Sequence, residues 1–371
     1  MFLKKHIHTF QPVFKNYLIM KQVFNFNAGP AILPQEVLQQ AAESVRDFSN
    51  SGLSILEISH RSKDFEAVVN EAVTLVKELL NVPDGYSVLF LQGGASLQFS
   101  MVPYNLLDEG DTAAYLETGV WAKKALKEAK LFGNVNVVAS SGDKNYNYIP
   151  KNYSVPTDSK YFHITSNNTI FGTQIHKFPE SQAPLIADMS SDIFSHPVSA
   201  GKFALIYAGA QKNLGPAGVT LVILRNDILG KIKRAIPTML NYKTHIDENS
   251  LFNTPSVYAI YVCLLTLRWL KSQGGLTAME KRNYEKQALL YKEIDNNPNF
   301  SGTAVKEDRS WMNVTFVAKE PAIEEKMLKL AKEANLIGLK GHRSVGGFRA
   351  SLYNAMSLEG VQRLVEVMRG V

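Results

Sequence analysis

The feature that most constrains this chain is an alternation of short apolar runs with amphipathic stretches of helical period. YSVLFLQGG, DTAAYLETG, VNVVAS, KYFHITSN, APLIADMS, KFALIYAG and GVTLVILR are β-rich, and several close on Gly, Ser, Asp or Asn. VWAKKALKEAKLFG is helical between the first two of the later runs. Ahead of the strands, PQEVLQQAAESVRDF carries Pro34 in its first turn. FEAVVNEAVTLVKELLNV places Phe65, Val68, Val69, Ala72, Val76, Leu79 and Leu80 at helical spacing. Alternation of this kind predicts an α/β domain with a largely parallel sheet. In such sheets ligands gather beyond the carboxyl ends of the strands, where LQGGAS, SNNTIFG, ADMSSD and AGAQKN fall.

The texture changes near residue 274. MEKRNYEKQALLYKEIDNN is a polar-faced helix, WMNVTFVA a strand, AIEEKMLKLAKEANL a helix, SVGGFRASLYNA a turn and strand, and LEGVQRLVEVMRG a last helix. A chain of 371 residues also exceeds the roughly 250 to 300 at which single cores stop growing. We therefore expect a large domain over 35–273 and a smaller α+β domain over 274–371. Residues 20–34 are expected near the small domain or the active site, and residues 1–19 form a disordered or mis-annotated leader.

Bulk properties exclude several function classes. The single cysteine, Cys263 in VYAIYVCLLTLRWL, permits no intramolecular disulfide and no C-x-x-C site, which fits a reducing cytoplasm. The net charge is +6, of which Lys4, Lys5 and Lys15 supply +3 in a leader without acids. The remaining +3 is scattered, with no dense Lys/Arg run of the kind that grips nucleic acid. The leader has no continuous apolar h-region, and the longest apolar stretch, near 257–267, is too short to span a membrane. The histidines show no metal-ligand spacing.

Lys212 is the most unusual residue. It sits in FALIYAGAQKNLGPAGVTLVILR, where one apolar strand leads to it and another follows a Gly-Pro-Ala-Gly turn. An unpaired ammonium between buried strands is expensive to desolvate, and a covalent imine to a cofactor aldehyde is one escape. Snorkelling from a strand end is another. Asp188 closes APLIAD, 24 residues earlier, and can serve a cofactor ring nitrogen or simply cap the turn that follows. Gly93-Gly94-Ala95-Ser96 turns a strand into a helix and presents free backbone N–H groups to an anion. It matches neither G-x-G-x-x-G nor G-K-[ST], so neither a dinucleotide nor ATP follows.

With these residues in view the chain resembles the phosphoserine aminotransferases, fold-type I pyridoxal-phosphate enzymes of the class V aminotransferase group. The resemblance runs from Asn25 to the C-terminus through FNAGPAILP (26–34), ISHRSKDF (58–65), AGAQKNLGPAGVT (208–220), NTPSVYAIY (253–261) and GHRSVGGFRASLYNAM (341–356), in order and at matching spacing. It implies a mainly parallel seven-stranded sheet with helices on both faces. It also implies a Schiff base between Lys212 and pyridoxal 5'-phosphate, Asp188 at the ring nitrogen, Trp121 stacked on the ring and Thr169 near the phenolic oxygen. Ala95, Ser96 and Gln211 would hold the cofactor phosphate, completed by Asn253 and Thr254 of a second subunit in a homodimer. Arg349 would take the substrate α-carboxylate. Arg46, His342 and Arg343 would receive the substrate phosphate or the distal carboxylate of glutamate. Two positions depart from the family: Ser96 replaces a common arginine, and Asn168 a common acid.

The implied reaction is O-phospho-L-serine plus 2-oxoglutarate to 3-phosphooxypyruvate plus L-glutamate, in the service of serine or pyridoxine biosynthesis. An alanine:glyoxylate-like class V aminotransferase would share the cofactor residues without needing Arg46, His342 and Arg343. A cysteine desulfurase would need a mobile thiol, and Cys263 sits in an apolar helical run. An inert binding protein would have no reason to keep lysine, acid, tryptophan and arginines together.

Overall fold

The structure, a computed structural model, describes residues 22–371. The leader assigned to 1–19 lies outside the described residues. In chain order, β1 (Phe24–Asn25) precedes α1 (Gln35–Arg46) and α2 (Lys63–Leu79). Then β2 (Tyr86–Leu91) feeds α3 (Gly94–Leu106), and β3 (Thr112–Glu117) feeds α4 (Val120–Ala129). Six strands follow: β4 (Asn134–Ser140), β5 (Phe162–Thr165), β6 (Asn167–Asn168), β7 (Thr173–Gln174), β8 (Leu185–Asp188) and β9 (Leu205–Gly209). β10 (Thr220–Arg225) closes the series, and α5 (Tyr242–Asp247) and α6 (Val257–Ser272) lead out of it. The remainder comprises α7 (Gly275–Asn296), β11 (Phe300–Gly302), β12 (Asn313–Ala318), α8 (Pro321–Glu333), β13 (Leu336–Ile337), β14 (Phe348–Ser351) and α9 (Leu358–Arg369).

Seven strands form one sheet in the order β2-β10-β9-β8-β5-β3-β4. β10 runs antiparallel to both neighbours, and the other pairs are parallel. The antiparallel exception has a local cause. β9 turns straight back into β10 through the Gly-Pro-Ala-Gly loop, too short for the crossover a parallel partner needs. Side chains alternate between the faces, as strand pleating dictates. Tyr86, Val88 and Phe90 of β2 join one core with α2 and α6, while Leu89 and Leu91 join the other with α3, α4 and α5. Burial on both faces explains why these strands read as near-continuous apolar runs.

The C-terminal region packs β11-β12-β14 against α7, α8 and α9 over a separate core that includes Leu290, Val314, Phe316, Met327, Phe348 and Val361. Phe26 is fully buried in that core, and β1 pairs in parallel with β13. The N-terminal segment then crosses to the large sheet, where Ala31 N donates to Gln211 O at 2.9 Å. It thus touches both the C-terminal core and the loop that carries Lys212. The one cysteine is core: Cys263 is buried on α6, and burial holds its thiol well above the usual range. Among the described residues no helix is long and apolar enough to cross a membrane, and no His/Cys/Asp/Glu group is arranged to hold a metal.

Candidate active site

A cavity of about 290 Å³ opens beyond the carboxyl ends of the sheet strands. Five of the seven strands deliver their last residue or following loop to it: Gly94, Ala95 and Ser96 after β2, Trp121 after β3, Thr165 from β5, Asp188 from β8, Gln211 and Lys212 after β9. His342 and Arg349 reach it from the C-terminal region, and Ala28 and Gly29 from the N-terminal segment. Larger hollows of about 700 Å³ and 400 Å³ lie elsewhere. In the hollow of about 700 Å³ the buried Asp308 does meet a lysine, Lys151, at 3.5 Å, but that lysine's side chain is 53% exposed, so chemistry rather than volume selects the smaller one.

Lys212 owes its position to a knot of backbone hydrogen bonds. Ala210 O accepts from the N–H of Lys212 at 2.7 Å and of Gly215 at 2.8 Å, while Ala210 N donates to Val219 O at 3.0 Å. The lysine therefore projects from a fixed turn. Burial lowers its ammonium pKa below the usual range, the nearby Asp188 and Asp192 oppose that, and Arg349 adds to the lowering. The net effect is an amine more available as a nucleophile than an ordinary lysine. Asp188, 5% exposed, aligns with Thr165 and Tyr207 in the neighbouring strands. Its Oδ1 accepts from Ser190 N at 2.9 Å. Burial raises its pKa, and Lys212 and Ser190 pull the other way. A protonated ring nitrogen set against it would be a further stabilising partner.

The glycine turn after β2 is built as a cradle. Gly93, at φ +90°, is the residue before α3 and provides no side-chain cap, so the first N–H groups of that helix remain free. A Cβ at Gly93 would collide with Leu97. On the opposite wall Trp121 Nε1 donates to Thr169 Oγ1 at 3.2 Å, which holds the indole edge in place beside the cavity. Thr169 O in turn accepts from a terminal guanidinium nitrogen of Arg349 at 3.1 Å. Arg349 Nε is buried without a partner. An orphaned donor on a half-buried arginine asks for a carboxylate. These features fit the implied cofactor: an amine for its aldehyde, an acid for its ring nitrogen, a flat indole beside it, free N–H groups for its phosphate.

Not every expected residue meets there. Arg46 ends α1, pairs with Glu43 at 3.7 Å with its side chain 75% exposed, and does not line the cavity. Arg343 is exposed beside His342 rather than in the lining. Asn253 and Thr254 are exposed as well; Thr254 O accepts from Gln92 Nε2 at 3.3 Å, and neither lines the cavity of its own chain. His342 accepts or donates at Nδ1 with Ser344 Oγ, 2.7 Å away. Its pKa is lowered by burial first and then by the positive charges of Arg349, Arg343 and Lys124. His342 therefore stands within electrostatic reach of three other basic groups. Sequence reasoning missed Lys124, whose ammonium stands 4.7 Å from the Trp121 ring centre one turn along α4. It also missed Ser166, Gln174 and Asp192, buried beneath Asp188, although the second acid of ADMSSD was there to be read.

The comparisons with known proteins agree with this geometry. The family described as Aminotransferase class-V matches residues 23–364. The chain is 60% identical over 348 residues to the phosphoserine aminotransferase of Phocaeicola vulgatus, covering 93% of this chain and 97% of that protein. It superposes with a TM-score of 0.90 and 40% identity on a phosphoserine aminotransferase from Trichomonas vaginalis solved with pyridoxal phosphate bound, covering 94% and 100% of the two chains. An alanine–glyoxylate aminotransferase from Nostoc sp. shares only the fold, at 16% identity and a TM-score of 0.76 over 96% of this chain and 97% of that one.

Proposed function

The chain belongs to the class-V aminotransferases and, within them, to the phosphoserine aminotransferases, and we infer from that membership that it uses pyridoxal 5'-phosphate to convert O-phospho-L-serine and 2-oxoglutarate into 3-phosphooxypyruvate and L-glutamate. The observation that carries the reading is the Lys212–Asp188 pairing at the strand ends, a partly buried lysine with a buried carboxyl nearby, in a cavity whose arginine has an unused donor.

Bound at this site, the cofactor supplies an aldehyde carbon for the amino group and a ring that holds the electron pair left at the substrate Cα. The remaining work belongs to side chains of this chain. Lys212 would hold the cofactor through its amine, and that amine, once free, would move the substrate's Cα proton. Asp188 would pair with the ring nitrogen and favour its protonated form. Arg349 binds the α-carboxylate through its Nε and a terminal nitrogen, which fixes the Cα–H bond relative to the ring. Trp121 would hold the cofactor ring by stacking, and Thr169 would contact it near its phenolic oxygen. Ala95, Ser96, Gln211 and the free N–H groups of α3 hold the cofactor phosphate.

His342 and Arg343 bind the substrate phosphate in one half-reaction and the distal carboxylate of glutamate in the other. Arg46 is assigned to the same anion, from a position outside this chain's own cavity. The exposure of Arg46, Asn253 and Thr254 in a single chain supports a homodimer in which such groups complete a neighbour's site. The domain limits 35–273 and 274–371 put the cavity between the two regions, and the cytoplasm is the proposed location. An alanine:glyoxylate specificity is disfavoured by the basic residues other than Arg349, which have no second anion to meet in such a substrate pair.

Steady-state turnover with 2-oxoglutarate as acceptor tests the reading. O-phospho-L-serine should be preferred over serine and alanine by about 10²-fold or more in kcat/KM, the scale of losing charge-assisted hydrogen bonds to a phosphate. Equal turnover of alanine with glyoxylate would overturn it.

A further inference from the structure

Beneath Asp188 lies a second carboxyl that the mechanism leaves idle. Asp192, 2% exposed, sits four residues along from Asp188 on the turn that follows β8. Its Oδ1 is 2.5 Å from Ser166 Oγ, and its Oδ2 is 3.4 Å from Gln174 Nε2. Ser166 Oγ is also 3.0 Å from the main-chain oxygen of Asp188. Gln174 has its amide orientation set from the other side, because its Oε1 accepts from Trp311 N at 2.9 Å. Its amino group is thereby turned toward Asp192.

Counting protons decides the charge of this carboxyl. A serine hydroxyl carries one proton and can serve one acceptor with it. An ionised Asp192 would claim that proton, leaving Ser166 Oγ 3.0 Å from the Asp188 carbonyl oxygen with no hydrogen between them, and that carbonyl with only the Ser166 main-chain N–H, at 3.0 Å, as donor. A protonated Asp192 removes the conflict. Its Oδ1–H donates to Ser166 Oγ, the Ser166 hydroxyl donates to the Asp188 carbonyl, and Oδ2 accepts from Gln174. Every group then has a partner of the right kind.

We propose that Asp192 is a neutral carboxylic acid in the folded protein at mildly acidic to neutral pH, a positioning residue whose proton runs a directed chain from Trp311 through Gln174 and Ser166 to the backbone of Asp188. The chain ties the acid-bearing strand end to the segment entering β12, and it leaves Asp188 as the sole anion opposite Lys212. The charged and titratable groups facing Asp192 are Asp188 from β8, Lys212 from the loop after β9, and Tyr353 from the segment after β14. Burial pushes the Asp192 carboxyl up to about 7, and the Asp188 charge pushes the same way against Ser166, Gln174 and Lys212.

The test is infrared difference spectroscopy of the cofactor-loaded enzyme on the acid and alkaline sides of neutrality, with Asp192→Asn and Asp192→Ala beside the parent. The parent should show a carboxylic-acid C=O stretch that shifts in D2O, disappears as pH rises, and is missing from D192N. D192N should fold, because its amide N–H can donate to Ser166 and its carbonyl can accept from Gln174; D192A can do neither and should unfold at a lower temperature than D192N. Three results would each overturn the proposal: no acid band in the parent, a band that survives in D192N, or a D192N that folds no better than D192A. The last is what an anionic Asp192 accepting two hydrogen bonds would produce. Thermal unfolding of the cofactor-free protein supplies a readout independent of catalysis: the parent's advantage over D192N should shrink as pH rises toward about 7.

Discussion

At the scale of residues, the account makes Lys212, Arg349 and Arg343 separable. Lys212→Ala removes the amine that moves the proton, so turnover should fall by at least about 10²-fold while the folded protein still binds the cofactor without a covalent link. Stopped-flow absorbance of one half-reaction measures this directly. Arg349→Ala should raise KM for phosphoserine, glutamate and 2-oxoglutarate alike, since all three carry the α-carboxylate. Arg343→Ala should weaken phosphoserine far more than an unphosphorylated donor. Equal loss across donors would remove Arg343 from the phosphate site, and a donor-selective effect at Arg349 would remove it from the carboxylate site. The pH dependence follows from burial. Lys212 is depressed by desolvation, so the neutral amine persists to lower pH than for an exposed lysine. Asp188→Asn should take away the ring-nitrogen anion and with it most of kcat.

At the scale of elements, the connections between the two regions are the places where a small change should be costly. Gly172, between β6 and β7, has φ +72°, and a Cβ there would strike Thr315 of β12 and come within 3.1 Å of Asn313 O. Gly172→Ala should therefore destabilise by about 2 kcal/mol or more, combining left-handed strain with overpacking. Lys286, 2% exposed on α7, donates from Nζ to Leu352 O and Tyr353 O, each at 2.9 Å. Lys286→Met leaves both carbonyls without that donor and should cost about 2 kcal/mol in a urea midpoint analysis. A gain in stability would mean that desolvating the lysine outweighs its bonds.

The alternation and the strand-end residues were legible in sequence because period and punctuation are local. Lys212, Asp188, Trp121, Thr169, Ser96 and Arg349 all lie in the cavity where the motifs pointed. What stayed hidden is set by tertiary register. Nothing in SNNT and ADMSSD says that Ser166 Oγ meets both Asp192 and the Asp188 backbone, because that depends on β5 pairing with β8. Lys124 was missed for a related reason. A lysine in VWAKKALKEAK reads as a solvated helix face until the mouth of the cavity is seen beside it. Arg46 is exposed and paired with Glu43 in one chain, and the part proposed for it in a neighbour's site would depend on a second copy that no single sequence displays.

For the whole molecule, titration of buried groups should shape stability. Burial drives His163 down to about 3 and His196 to about 4, against an ordinary 6.5. Each is depressed in the fold, so the unfolded chain takes up protons first and stability is lost as pH falls below about 6.5. Asp192 has the opposite sign: raised to about 7 in the fold, it adds stability at low pH that fades as pH rises toward that value. The D192N protein should therefore lose stability more steeply than the parent on acidification, by up to about 1.4 kcal/mol per pH unit. Association is the other whole-molecule property. Sedimentation at decreasing concentration should show a dimer whose dissociation releases the cofactor; a monomer that keeps full cofactor affinity would refute the shared phosphate site.

The central claim is that Lys212 is the residue that bonds the cofactor, and borohydride reduction followed by peptide mass mapping tests it most directly. The account predicts one pyridoxyl adduct, on the peptide carrying Lys212, absent from Lys212→Ala. An adduct on any other lysine of the parent enzyme, or none at all in cofactor-loaded protein, would contradict it.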